Sequence, residues 1–380
     1  MDNLRQTIEL SRAKLKNAIR AAGFKGYDPL DALNSPVLSR LTFGSKTIAL
    51  FYTQALKRAP WNIRPLLGIN PIEDPKGYAL FYFGCKIRDE LADASAAAQK
   101  ILNLQFKRDK TRTAWGYLYP WVGFAHGFWP LGTAEAVPTV FAAEALLDAA
   151  KTFKEPLYAQ SANQAVEYLL AEHLIKNNDI YISYFPGYKN IVHNVTALGA
   201  LLLARAGKNL DNRGYLEIAS KLIETTLKYQ RSDGAWDYGT SSRQKWVDSY
   251  HQGYILHSLS EASRLLETRQ WEKPLASGLD FWQKNFFGPD NEVYCYPNKY
   301  YPVDPHVYAC AAIELLYFKD RLPDAKKKAG DIALRIIAAM QKDNGLFYYL
   351  KTRFFTYDIL YMRWTQMWMF YALSRLRAEL

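Results

Sequence analysis

The sequence repeats one pattern at intervals of about 55 residues, and this repeat constrains the fold more than any other feature. In each copy an amphipathic helix is followed by a turn with Gly, Asp or Asn and aromatic residues, and then by a helix that is apolar on most sides. Helix pairs that cannot bury both faces alone stack against their neighbours, so the repeats are expected to share one core. The apolar helices begin 53 to 57 residues apart, and we predict them at Pro138–Ala150, Ile191–Ala206, Val247–Leu266, Asp304–Phe318 and Tyr361–Leu376.

The amphipathic helices of the repeat alternate with these apolar helices. Extending the pattern backward adds an apolar helix at Lys76–Lys86 and an amphipathic one at Asp89–Leu104, and the N-terminal helix Met1–Ala22 supplies a sixth amphipathic helix. The other amphipathic helices are predicted at Ala159–Lys176, Asp211–Gln230, Gln270–Phe286 and Pro323–Lys342. Six pairs predict an all-α (α/α)6 toroid that forms a single domain over residues 1–380. An open helical solenoid is the alternative, but it would need polar capping helices, and the C-terminal helix is apolar.

The turns between the helices are also alike. Arg231–Trp236, with the sequence RSDGAW, resembles Lys342–Phe347, with the sequence KDNGLF. The glycine in each ends a helix or supplies a positive φ. Short aromatic β-hairpins at the mouth of the ring are predicted to follow such turns, at Tyr181–Tyr188, Val293–Tyr301 and Leu346–Phe355. Residues 24–75 do not fit the repeat and are predicted to be an irregular insertion or decoration.

Charge and composition narrow the classes of partner. The net charge of +11 and the 15% aromatic content favour an acidic partner and an aromatic binding surface. Lys and Arg are spread along the chain, so we predict no nucleic-acid binding. The sequence contains no run of eighteen apolar residues, so we predict no membrane span. The N-terminal helix lacks the apolar region of a secretory signal. The three cysteines show no CxxC spacing, so we predict neither a disulfide framework nor a zinc site. The expected location is therefore the cytoplasm.

Polar residues recur in register where the predicted inner helices begin. The three histidines among them are 58 and 55 residues apart, which matches the repeat. In a closed ring these helix starts converge on one funnel, where unpaired backbone N–H groups and helix dipoles favour anions. The residues at these starts are His193, Asn194, Asp248, His251, Asp304, His306, Tyr361 and Arg363.

The loops that feed the funnel carry rings and cations suited to a sugar. Aromatic faces can pack on sugar C–H groups, and Arg offers a two-pronged fit to a carboxylate. The substrate-binding set predicted from these loops, in addition to His193 and Asn194, is Trp236, Tyr238, Lys245, Tyr301, Arg353 and Tyr357.

The funnel residues allow two kinds of sugar chemistry. Asp248 and Asp304 could form the carboxylate pair of a glycoside hydrolase. Alternatively, His251 or His306, with Tyr361, could move a proton next to a uronate carboxylate that Arg363 neutralises.

Two plainer interpretations of the same residues stay open. Asp248 and Asp304 could be helix caps and nothing more. The three histidines could also supply metal ligands with the two aspartates, but no HxxH-type pair supports this, and we predict neither a metal nor another cofactor.

Four segments resemble proteins of bacterial exopolysaccharide and O-antigen gene clusters of the VpsJ type. They are Tyr27–Ser35, Trp115–Tyr117, Tyr301–His306 and Met362–Ala372. The repeat itself resembles the six-hairpin and terpenoid-cyclase-like α/α-toroid superfamilies. A fainter likeness connects Tyr357-Asp358 and Arg363-Trp364 to the helical domain of glucuronyl C5-epimerases, whose β-rich regions are missing here. No Asp-rich motif of terpene cyclases is present.

The resemblance to cluster proteins implies a role in making or trimming surface polysaccharide. We therefore predict an enzyme that hydrolyses, eliminates or epimerises an acidic glycan or glycolipid. The alternative is a glycan-binding or scaffold protein of polysaccharide assembly that uses the same pocket without catalysis. A further possibility is peripheral membrane contact through the N-terminal helix.

Overall fold

The computed structural model describes residues 2–109 and 111–380, and the first residue of the predicted N-terminal helix, Met1, lies outside this range. Six helices form an inner ring and six an outer ring, in strict alternation along the chain. The outer helices are α1 (Asp2–Ala21), α5 (Leu91–Asn103), α7 (Pro156–Tyr168), α9 (Arg213–Lys228), α11 (Glu272–Phe286) and α13 (Ala325–Met340). The inner helices are α4 (Pro75–Lys86), α6 (Ala136–Phe153), α8 (His193–Leu210), α10 (Ser249–Leu265), α12 (Pro305–Tyr317) and α14 (Met367–Glu379).

The ring is closed, as predicted. Each inner helix packs on the next, and α14 packs on both α4 and the N-terminal helix α1. Hydrogen bonds seal this junction, since the Arg12 Nε donates to Ser374 Oγ at 2.8 Å and Gln341 donates to the Ser11 carbonyl. The α/α toroid is therefore confirmed, and the solenoid alternative is wrong because no helix end is left uncovered to be capped.

The apolar side of α1 belongs to this closed ring. Ile8, Leu15 and Ile19 are fully buried in the main core. No helix within residues 2–109 and 111–380 combines the length and apolar character that crossing a lipid bilayer requires.

The two ends of the barrel differ in their connections. Inner helices pass to the following outer helices through short turns, whereas outer helices return to the inner ring through long loops. The starts of all inner helices therefore face the loop-rich end, which we call the amino mouth. Two in-register turns there need glycine, because Gly234 and Gly345 have φ values of 93° and 89°. A Cβ at either would lie 2.3 to 2.5 Å from a backbone oxygen of a neighbouring element.

Short antiparallel hairpins decorate the same end. The Leu346–Phe355 prediction contains one strand of a hairpin, and the Tyr181–Tyr188 prediction begins within one. The Val293–Tyr301 segment, predicted as a short aromatic strand or irregular hairpin, folds back through an isolated antiparallel bridge between Tyr296 and Lys299. Two hairpins between α5 and α6 were not predicted. The four pairs are β1 (Phe106–Lys107) with β2 (Thr113–Ala114), β3 (Trp121–Gly123) with β4 (Gly127–Trp129), β5 (Leu174–Lys176) with β6 (Ile180–Ile182), and β7 (Leu350–Lys351) with β8 (Thr356–Tyr357).

Residues 24–75 are not the irregular decoration that the sequence predicted. They contain helices α2 (Pro36–Leu41) and α3 (Lys46–Arg58) and lie against the amino mouth. Arg64 anchors the segment: it is fully buried, lies 2.9 Å from Asp31, and donates to the Tyr361 hydroxyl at 2.7 Å. Burial raises the pKa of Asp31 to about 6. A buried ion pair of this kind ties the segment to the ring.

Candidate active site

Acidic residues cap four of the six inner helices at the amino mouth. Asp74, Asp248 and Asp304 each accept a backbone N–H of their own helix, and Glu135 occupies the same position on α6. Asp248 and Asp304 are therefore helix caps, but capping uses only part of each carboxyl group. The remaining atoms of each carboxyl group determine what else it can do.

Asp248 and His251 form a hydrogen-bonded dyad on the first turn of α10. The Asp248 Oδ2 lies 2.7 Å from the His251 Nδ1, and the same carboxylate accepts from the His251 backbone N–H and the Trp246 indole. Asp248 is buried, whereas the His251 side chain keeps 17% of its surface exposed. Because the carboxylate holds the proton on Nδ1, it leaves Nε2 as the proton acceptor. This is the geometry of a general base.

Asp304 has a different environment at the same helical position on α12. Its side chain accepts the His306 backbone N–H at 2.9 Å and is otherwise buried. Burial raises the pKa of Asp304 to about 7, against the opposing charge of Lys57 on α3. At neutral pH this carboxyl group is therefore protonated in a large fraction of molecules and can donate a hydrogen bond or a proton.

His306 lies beside Asp304 but is more deeply buried than His251. Its Nε2 lies 3.3 Å from the Tyr254 hydroxyl, and its Nδ1 is buried without a partner among the described residues. Burial holds the pKa of His306 well below its ordinary range, so its ring is neutral. The ring of Tyr250 bridges the two histidines, with centroids 4.3 Å from His251 and 4.7 Å from His306.

Arg363 reaches the site but is already paired. It lies in the π-helical turn Met362–Gln366 that precedes α14, and its guanidinium contacts the carboxylates of Asp28 and Asp74. It also donates to the Tyr117 hydroxyl and stacks over that ring. Only 6% of Arg363 is exposed. The structure therefore argues against the predicted substrate-carboxylate clamp, because two protein carboxylates occupy the guanidinium.

Three other predicted site residues point into the protein core. Trp236 is fully buried and donates its indole N–H to the Thr226 carbonyl at 2.8 Å, so it offers no face to a sugar. Tyr361 is fully buried against Arg64. His193 packs on Tyr229 of the outer layer, and burial lowers its pKa to about 4. Because these three side chains are buried, they do not contact a substrate at the amino mouth.

The remaining predicted binding residues are divided between the wall and the rim. Tyr238 is in the wall, where its hydroxyl lies 3.0 Å from the His126 Nε2 and its ring lies 4.7 Å from that of His251. Asn194 is buried, with its Oδ1 unpaired among the described residues. Exposed or partly exposed residues form the rim: Lys245, paired with Asp237, together with Tyr301, Arg353 and Tyr357.

Sequence reasoning missed several groups that line the site. The most prominent is Lys76, in the first turn of α4, whose ammonium lies 4.3 to 5.5 Å from the ring centroids of Phe141, Tyr254 and Trp368. Burial lowers its pKa to about 7. A sequence signal for this helix start was available, because Asp74-Pro75 repeats the Asp304-Pro305 pair. No such signal marked His126 or Glu135, which come from the loop between α5 and α6, whereas Tyr117 in the same loop lies in the segment Trp115–Tyr117 that the sequence analysis singled out.

The metal ligands considered in the sequence analysis do not converge at the amino mouth. His193 points to the outer layer, away from the other two predicted histidines. Among the described residues, one cluster has the geometry to hold a metal ion, namely Cys85, Glu90 and Asp93. Its carboxylates already pair with Arg12, Lys16 and Arg20.

Comparison with known proteins supports the architecture. No protein-family model matches the sequence, and no curated protein matches it. Among solved structures, an unsaturated glucuronyl hydrolase specific for heparin aligns at a TM-score of 0.64 and 13% identity, over 99% of this chain and 96% of that one. A GH76 α-mannanase from Bacteroides thetaiotaomicron aligns at 0.63 and 14%, over 80% and 85%. A cellobiose 2-epimerase from Bacillus thermoamylovorans aligns at 0.62 and 10%, over 81% and 88%.

These likenesses concern the fold. The chain has the fold of an α/α toroid, as the repeat predicted, and at this level of identity they show the fold alone. The likeness to VpsJ-type cluster proteins and to glucuronyl C5-epimerases stays a prediction.

Proposed function

We propose that this protein is a carbohydrate-active enzyme that moves a proton on a sugar ring at the amino mouth. The observation that carries the proposal is the Asp248–His251 dyad, which the ring of Tyr250 connects to His306, the residue whose backbone N–H Asp304 accepts. Pairs of titratable groups whose environments differ in this way are typical of acid–base sites. Support for a sugar substrate comes from the rings at the mouth and from the structurally similar enzymes, whose names describe glycan substrates.

Proton abstraction fits the site better than retaining glycoside hydrolysis does. A retaining hydrolase needs a free carboxylate nucleophile as well as an acid. Asp248 accepts three hydrogen bonds and is committed to orienting His251. In our proposal His251 Nε2 takes a proton from a sugar carbon, and the protonated form of Asp304 hydrogen-bonds to the oxygen on which negative charge develops. Return of a proton from solvent to the opposite face of that carbon would complete epimerisation. Cleavage of the bond between the neighbouring carbon and its oxygen substituent, which takes up a proton and leaves as an alcohol, would complete β-elimination.

An acidic glycan or glycolipid is the substrate class we propose. A uronate carboxylate makes the adjacent C–H acidic enough for abstraction by a histidine. Arg363 is not available to bind it, so the cations in question are Lys57 near Asp304 and the exposed Arg353 at the rim. A role in surface-polysaccharide biosynthesis in the cytoplasm follows from the sequence resemblance. Membrane contact by α1 would use its exposed face, which carries Leu10 as well as charged residues, because Ile8, Leu15 and Ile19 are buried in the core.

Incubation with uronate-containing oligosaccharides in deuterated water tests this proposal. We expect deuterium incorporation, or a product lighter by one leaving group, measured by mass spectrometry. His251→Asn should reduce the rate by about 100-fold or more, and Asp304→Asn should also reduce it. Lys245→Met at the rim is the control and should change KM rather than kcat.

The other outcomes are equally informative. Cleavage with incorporation of solvent oxygen but no deuterium on carbon would replace proton abstraction with hydrolysis. Binding without turnover on any glycan would favour the non-catalytic glycan-binding or scaffold protein. Neither binding nor turnover would contradict the proposed function.

A further inference from the structure

A cavity lined by described residues lies away from the amino mouth, toward the opposite end of the barrel. It has a volume of about 530 Å³ and is lined by residues from all six inner helices, from Trp368 near the start of α14 to Arg264 and Leu265 at the end of α10. This volume falls within the usual range of small-molecule sites. We call it the carboxyl cavity. The connections at this end are short turns, so the inner helices themselves form its walls.

An aromatic layer separates the two ends of the barrel. Phe141, Tyr254 and Trp368 come from alternate inner helices, and their ring centroids lie 5.7 to 6.3 Å from one another. All three rings line the carboxyl cavity, whereas Lys76 and His306 contact the same layer from the amino side. The layer is thus the floor of the carboxyl cavity, and it provides ring surface for an apolar or C–H-rich face of a ligand.

The walls above this floor carry buried polar atoms without partners. Glu144 is 8% exposed and Ser258 is fully buried, yet the Glu144 Oε1 and the Ser258 Oγ have no hydrogen bond within the described part of the chain. The same holds for the Arg375 Nε. Leaving such atoms unpaired costs about 1–3 kcal/mol each, so three of them around one cavity indicate a ligand that supplies their partners.

The charges around the cavity offset one another. Arg205 pairs with Glu144 and lies 3.6 Å from Glu261, and the His257 Nδ1 lies 3.2 Å from Glu314. Both a donor, at Arg375, and acceptors, at Glu144 and Ser258, remain unpaired. A ligand with hydroxyl groups satisfies both kinds. The lining carries five Lys or Arg side chains against four Asp or Glu side chains, so it has little net charge to favour a strongly anionic ligand.

We propose that the carboxyl cavity is a second binding site, distinct from the amino mouth, for a neutral mono- or disaccharide. One face of the sugar ring would pack on Trp368 and Tyr254. Its hydroxyls would hydrogen-bond to Glu144, Ser258 and Arg375. This inference does not depend on the reaction at the amino mouth, because the two sites lie on opposite sides of the aromatic layer.

Titration calorimetry of the full chain with neutral sugars tests the proposal. The probes are glucose, galactose, mannose and their α- and β-linked disaccharides, with glucuronate as the charged counterpart. We expect saturable binding of at least one neutral sugar that is tighter than that of glucuronate. Arg375→Met and Glu144→Gln should each weaken it about tenfold or more, and Leu201→Trp, which fills the cavity, should abolish it. His251→Asn at the amino mouth is the matched control and should leave it unchanged.

Several results would overturn the proposal. They are the absence of saturable binding by any neutral sugar, binding that survives Arg375→Met but is lost in His251→Asn, and glucuronate binding that is tighter than glucose binding and is abolished by Leu201→Trp. Thermal melts show which variants are folded. If Leu201→Trp does not fold, Arg375→Met still decides the matter, because its Nε has no protein partner among the described residues whose loss would unfold the chain.

Discussion

Asp248 and Asp304 cap successive pairs of the repeat at the same helical position, but their carboxyl groups have opposite surroundings. Asp248 accepts hydrogen bonds from the Trp246 indole, the His251 backbone N–H and the His251 ring. Asp304 accepts the His306 backbone N–H, and burial raises its pKa to about 7. The repeat thus places two chemically identical residues in equivalent positions, and neighbouring residues give their carboxyl groups different hydrogen-bond partners.

Asp304→Asn should stabilise the fold, increasingly so at higher pH. The pKa of Asp304 is raised from 3.8 to about 7, so the folded state holds the proton more tightly than the unfolded state does. Stability is therefore lost as pH rises from about 4 to about 7 and stays low above that range. Asn still caps the helix but carries no charge. The gain in unfolding free energy should approach roughly 4 kcal/mol as an upper bound near pH 8. Urea denaturation between pH 4 and pH 8 measures it, and a gain independent of pH would contradict the prediction.

Lys76→Met should show the opposite pH dependence. Burial lowers the pKa of Lys76 to about 7, so the unfolded state binds the proton more tightly and wild-type stability rises between pH 7 and pH 10.5. Met fills the aromatic box without a charge. We expect a gain of about 1–4 kcal/mol below pH 7 that fades toward pH 10. Thermal melts across this range test it. Destabilisation at pH 6 would show instead that the three surrounding rings stabilise the cation more than burial penalises it.

Arg363→Met should destabilise the protein strongly. Removing the guanidinium leaves Asp28 and Asp74 buried without their cation, which typically costs about 3–5 kcal/mol. The exposed Arg353→Met is the control and should stay within about 0.5 kcal/mol of wild type. Urea unfolding at pH 7 distinguishes the two. If Arg363→Met folds normally and only its KM for a uronate glycan rises, the originally predicted carboxylate clamp is correct after all.

Trp236→Phe should affect stability and not substrate affinity. The indole of Trp236 is fully buried and its N–H satisfies the Thr226 carbonyl, so the substitution creates space and an unpaired acceptor. We expect a loss of about 1–3 kcal/mol in unfolding free energy. KM for any substrate found should change by less than twofold, whereas Tyr301→Ala at the rim should raise it. A rise in KM for Trp236→Phe alone would place this ring in the site.

The local patterns in the sequence were enough to predict the toroid. The repeat spacing located all six inner helices to within a few residues, and closure followed from the apolar C-terminal helix, which packs on α4 and α1. Caps such as Asp248 and Asp304 were readable because a helix start has a local chemical signature. The structure of segment 24–75 could not be predicted from local patterns, because it depends on the buried pairing of Arg64 with Asp31, two residues 33 positions apart.

By itself the sequence determined which residue types stand at the starts of the inner helices, since hydrophobic periodicity and helix capping are local properties of the chain. Only the tertiary structure decided which of those side chains face the barrel axis and which are already paired. Trp236 and Tyr361 are buried in the core, Arg363 is paired with Asp28 and Asp74, and His251 is held by Asp248 through its Nδ1. The physical reason is that burial and ion pairing depend on neighbours from distant parts of the chain, which no repeat spacing specifies.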